Sequence, residues 1–122
     1  MARADQLTRI LRNLSTNTPD IEAGAIISSD GLSMASSLPQ GMDDDAYSAM
    51  SAALLGLGER IVKELKRGEL ETVMIRGRDG YIFLTRCSAD AMLTVLTTRQ
   101  AKLGLIFLDV ERAAKELTPL LA

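Results

Sequence analysis

Histidine is missing from all 122 residues, and so is tryptophan. Without histidine there can be no Ser-His-Asp or Cys-His nucleophilic machinery and no His-ligated zinc or haem. Cys87 is the single cysteine, so no disulfide can form within the chain, and a reducing compartment is expected. Aromatic side chains are limited to Tyr47, Tyr81, Phe83 and Phe107, too few for a platform on which bases or sugars stack. Neither charge dominates. Fourteen Lys and Arg stand against 16 Asp and Glu, giving a net charge of −2, so no nucleic-acid partner is expected. The longest uncharged run, Ala46 to Gly58, is well short of the ~20 residues that cross a bilayer. Arg3, Asp5, Arg9 and Arg12 interrupt any signal-peptide core. These shortages point to a cytoplasmic protein that does not insert into membranes.

What remains suits one globular unit. With 47% apolar and 25% charged residues, a chain of this length fills a core without a metal or disulfide staple, and a single domain over 1–122 is expected. The glycines form neither a GxGxxG nor a GxxxxGK[ST] pattern, and Gly77-Arg78-Asp79-Gly80 reads as a turn, so no nucleotide or other cofactor is expected. Asp43-Asp44-Asp45 lacks the further ligands that a Mg²⁺ or Ca²⁺ site needs and reads as a solvated helix cap. No metal site is expected. The six methionines are read as core gap-fillers.

Periodicity orders the elements. Leu7, Ile10, Leu11 and Leu14 form one helical stripe within 3–14, closed by the turn-forming run Ser15 to Asp20. Strand-like runs at 22–28 and 32–37 flank Asp30-Gly31, which predicts a hairpin. A long helix over 46–67 follows, then strands at 70–77, 81–85 and 91–97, and a last helix within 101–121 carrying Leu103, Ile106, Phe107, Val110, Ala114 and Leu117 on one face. The order α-β-β-α-β-β-β-α predicts an α+β sandwich, with a five-stranded antiparallel sheet and helices on both faces.

The central helix is the informative segment. Tyr47, Met50, Leu54, Leu57, Ile61 and Leu65 recur at spacings of three and four and read as its core stripe. Across from Leu54 lie Ala49, Ala53, Gly56 and Arg60, and no charge occurs between Asp45 and Glu59. An alanine-rich surface selected for helix propensity would look similar, but Gly56 and Gly58 would each cost about 1 kcal/mol in it. A face covered by a partner explains both features. Arg60, Arg67, Arg76, Arg78 and Arg86 could each serve as an arginine offered to a GTPase, or simply as a surface charge.

This pattern resembles the Roadblock/LC7 family, and its bacterial branch most of all. The resemblance is carried by Gly24-Ala25-Ile26-Ile27-Ser28-Ser29-Asp30-Gly31-Leu32 and, most specifically, by Ala52-Ala53-Leu54-Leu55-Gly56-Leu57-Gly58-Glu59-Arg60. Glu69 to Gly77, Asp79-Gly80-Tyr81-Ile82 and Leu103-Gly104-Leu105 complete it. The resemblance implies a non-enzymatic homodimer, or a heterodimer with a second Roadblock-type chain, in which the central helices pack on each other and the third strands pair. The implied dimer interface is Ala46, Ala49, Met50, Ala53, Gly56, Leu57 and Arg60, with Thr72, Val73, Met74 and Ile75. It further implies that the paired helices bind a small Ras-like GTPase through Ala52, Glu59, Arg60, Lys63 and Arg67 and tune its nucleotide cycle. The alternative is a passive adaptor within a larger complex. A small-molecule sensor domain is disfavoured, because the expected core positions carry few convergent polar groups.

Overall fold

Leu7, Leu11 and Leu14 turn one side of helix α1 (Arg3–Asn17) into the core. In the computed structural model, which describes residues 2–121, α1 runs one turn beyond its expected end and stops at Thr18, before Pro19. Met1 and Ala122, the two ends of the expected domain, lie outside the described residues.

The remaining elements are β1 (Ile21–Ser28), β2 (Ser33–Ser37), α2 (Asp44–Glu64), β3 (Val73–Gly77), β4 (Gly80–Ser88), β5 (Ala91–Thr98) and α3 (Leu103–Leu121). The strands form one antiparallel sheet in the order β2-β1-β5-β4-β3. The α+β architecture is therefore the expected one. The central strands β1 and β5 carry nearly continuous apolar runs because both of their faces are covered.

Alternation along the strands divides the interior in two. On one face, Ile26, Phe83, Leu93 and Val95 meet α1 and α3 through Leu7, Leu11, Ile106, Val110 and Leu117. On the other, Ala25, Ile27, Leu84 and Met92 meet α2 through Leu55. Because α2 connects one edge strand, β2, to the other, β3, it has to traverse this second face alone. Asp43 caps its N-terminus, accepting a hydrogen bond from the Ala46 amide at 3.1 Å. It ends at Glu64, earlier than expected, because Lys66 takes a left-handed conformation with φ of 57°.

Two turns depend on glycine. Gly31 takes φ of 86° in the β1–β2 hairpin. At Gly80 an added Cβ would run into the Thr97 carbonyl oxygen. The third strand starts at Val73 and not at Leu70: the Thr85 hydroxyl donates to the Glu71 carbonyl at 2.8 Å, a side-chain bond where the ladder would otherwise continue. The methionines are not mainly core. Met92 is fully buried, whereas Met42, Met50 and Met74 are exposed.

Candidate functional site on the central helix

The side of α2 that meets the sheet mixes small residues with Leu55, Tyr47 and Leu54. Ser48, Ser51 and Leu55 are its buried positions, and Tyr47, Ala52, Leu54 and Gly58 flank them half-buried. Of the stripe expected from periodicity, Tyr47 and Leu54 pack toward the sheet and the other four residues face outward. Met50 and Leu65 are each 65% exposed, Leu57 53% and Ile61 48%. The helix approaches its neighbours closely at two points. The Ala49 Cα lies 3.3 Å from where a Cβ on Gly31 would stand, and a Cβ on Gly58 would stand 3.1 Å from Val73 Cγ2 and 3.3 Å from Leu70 Cδ2. At those two contacts the helix carries small residues; Leu55, Tyr47 and Leu54 pack toward the sheet elsewhere, and Met50, Leu57, Ile61 and Leu65 are turned outward.

Beneath the helix, the Tyr47 hydroxyl hydrogen-bonds the Thr94 hydroxyl, and burial pushes the phenol up to about 12. At the C-terminal half, Glu59 receives two parallel hydrogen bonds from Arg86: Nε to Oε2 at 2.7 Å and Nη2 to Oε1 at 2.8 Å. Arg86 Nη1 also donates to Ser29 Oγ and to the carbonyls of Ser88 and Ala89. One guanidinium therefore ties α2 to both the β1–β2 and β4–β5 turns. The fork holds the Glu59 carboxyl below its usual range and raises the Arg86 guanidinium further.

The outward face is continuous. Ala46, Ala49, Met50, Ala53, Gly56, Leu57 and Arg60 are all exposed and share one side of the helix, joined by Ile61 and Leu65. Nothing within the protomer lies within 4 Å of a Cβ built on Gly56. Beside this helix, β3 pairs only with β4 and leaves its other edge unpaired among the described residues. Val73 faces α2, so Ile75 lies on that same side of the sheet while Met74 points to the other; both are exposed. Thr72 and Val73 are half-buried, and Thr72 precedes the strand.

An apolar outer helix face next to an open strand edge is thus the site's defining geometry, and its sequence can be compared with known proteins. Residues 7–97 match the Roadblock/LC7 domain. The chain belongs to the Roadblock/LC7 domain family. The uncharacterised protein MJ1340 of Methanocaldococcus jannaschii is 34% identical over 111 residues, spanning 91% of this chain and 96% of its own. Among solved structures, Myxococcus xanthus MglB superposes with a TM-score of 0.89 at 16% identity, covering 99% of this chain and 91% of that one. A Roadblock/LC7 domain from Streptomyces avermitilis gives 0.86 at 19% identity, covering 93% and 96%. These two likenesses are of fold.

Within this Roadblock/LC7 domain, the residues expected at a GTPase contact divide. Arg60, Lys63 and Arg67 are exposed, with Arg60 Nε 3.1 Å from Glu64 Oε1. Ala52 is half-buried near Gly31, and Glu59 is committed to Arg86. Sequence reasoning missed the Arg86 fork, which spans 27 residues, and the outward positions of Ile61 and Leu65. Alternation with Ile82 and Leu84 was the available signal for Arg86, since it places that side chain under α2. No helix is long and apolar enough to cross a membrane among the described residues.

Proposed function

We propose that the chain works as one Roadblock/LC7-type domain over 1–122 that forms a homodimer, or pairs with a second Roadblock-type chain, through the outer face of α2 and the free edge of β3. The observation that carries this reading is the exposure of Met50, Leu57, Ile61 and Leu65 on a helix that also presents Ala46, Ala49, Ala53 and Gly56. Large apolar groups on one contiguous face favour a covering partner in water. Small residues among them let a second helix approach, and a two-fold axis makes the face complementary to itself. The unpaired groups of β3, from Val73 through Met74 and Ile75, would be satisfied by the same strand of the mate, with Thr72 at the margin.

The paired helices would then serve as a platform for a small Ras-like GTPase, as the family resemblance implies. Arg60, Lys63 and Arg67 supply the charged rim, Ala52 its inner margin, and Glu59 holds the helix in register through Arg86. The chain would act without chemistry or cofactor of its own, by holding the switch loops of a GTPase that already carries Mg²⁺ and nucleotide. The test is capture of a small GTPase from the source lysate with GDP and with a non-hydrolysable GTP analogue, followed by hydrolysis rates with wild type and Arg60→Ala. Enrichment with the GTP analogue and a stimulated rate lost in Arg60→Ala support a regulator. Capture regardless of nucleotide with no change in rate supports a passive adaptor.

A further inference from the structure

Away from the helix face, three arginines meet in one place. The β3–β4 turn and the end of β5 enclose an open cleft of about 350 Å³ lined by Arg76, Gly77, Arg78, Tyr81 and Arg99. The sheet register brings them together. Arg76 is the cross-strand partner of Tyr81, Tyr81 is the partner of Thr97, and Arg99 follows two residues later. Arg76, Arg78 and Arg99 are exposed, and none forms a salt bridge among the described residues. The nearby carboxylates do not line the cleft. Asp20 accepts a hydrogen bond from the Thr98 hydroxyl at 3.1 Å, and Asp79 sits in the turn itself. Tyr81 is anchored, its ring packed 6.3 Å from that of Phe83.

We propose that this cleft binds a small phosphate-bearing anion. Three guanidinium groups present planar forks that match oxygen pairs on a phosphate. Their mutual repulsion is relieved best by a ligand of two or more negative charges, which a single carboxylate does not supply. The tyrosine adds a hydroxyl donor, and the volume falls in the range of small-ligand sites. The residues that line the site all belong to one protomer.

Inorganic pyrophosphate is the probe, titrated calorimetrically at constant ionic strength set with chloride. Saturable binding near one per chain is expected, weakened about tenfold by Arg99→Ala and by Arg78→Ala, with Arg99→Lys weaker than wild type because the fork is lost. Amide chemical-shift changes confined to Gly77, Arg78, Tyr81 and Arg99 would place the site without any variant. Absence of saturable binding, or binding unchanged in both alanine variants, overturns the proposal. So does association with phosphatidate-containing vesicles in the absence of pyrophosphate binding, which would make the cluster a membrane contact.

Discussion

Arg86 reaches Glu59 across the sheet–helix boundary and fixes the C-terminal half of α2 with two hydrogen bonds of 2.7 and 2.8 Å. The pair is roughly one-third exposed, so solvent screens it. Replacing Glu59 by Gln should cost about 1 kcal/mol in chemical denaturation. Because the folded carboxyl is depressed, its contribution is present above the unfolded value near 4 and is lost as pH falls through the folded one. Wild type should therefore lose its advantage over Glu59→Gln below about pH 4. An advantage independent of pH would show that the carboxylate charge is irrelevant.

Two glycines on α2 should behave oppositely. Gly58→Ala presses a methyl against Val73 and Leu70, and should lower stability by about 1 kcal/mol despite the gain in helix propensity. Gly56→Leu adds bulk in open space within the protomer, so the circular dichroism of the isolated chain should be unchanged while dimer dissociation rises at least about tenfold. Chemical denaturation reads the first, and sedimentation over a concentration series reads the second. An unaltered dimer in Gly56→Leu would remove Gly56 from the interface.

Those glycines show how far the sequence was legible. The element order and the antiparallel α+β class followed from periodicity, because each strand and helix alternates with its own period; the strand order did not. The face of α2 did not, because apolar residues occur on nearly every side of it and spacing alone cannot say which side meets the sheet. Ser48, Ser51 and Leu55 are the positions turned to the sheet, with Gly58 close against Val73 and Leu70, while Met50, Leu57 and Ile61 face outward. The Ala49/Ala53/Gly56 face was recognisable because absence of charge is visible without a fold. The grip of Arg86 on Glu59 and the convergence of Arg99 with Arg76 and Arg78 were not, since each needs the strand order. β3 starts at Val73 and not at Leu70 because of a side-chain bond, Thr85 to the Glu71 carbonyl, which has no signature in spacing.

Cys87 is buried, and burial pushes its thiol up to about 12. In the folded protein it should resist alkylation at neutral pH and react only on unfolding. The folded chain keeps this proton, and that of Tyr47, at pH values where the unfolded chain releases them. Stability should therefore be level from about pH 5 to about pH 8.5 and fall progressively from there toward 12, first through the thiol and above 10 through the phenol as well. Thermal melts of wild type and Cys87→Ala from pH 7 to 11 check this; parallel curves would exclude the thiol.

The outer face of α2 is proposed to be covered by a second Roadblock-type chain, and the mass of the purified protein in solution tests that most directly. Light scattering at micromolar concentration should give twice the 13.2 kDa of one chain. Ala53→Arg, which places a charge in the centre of the face, should return the mass to a single chain with circular dichroism unchanged. A wild-type mass of one chain at that concentration would contradict the homodimer.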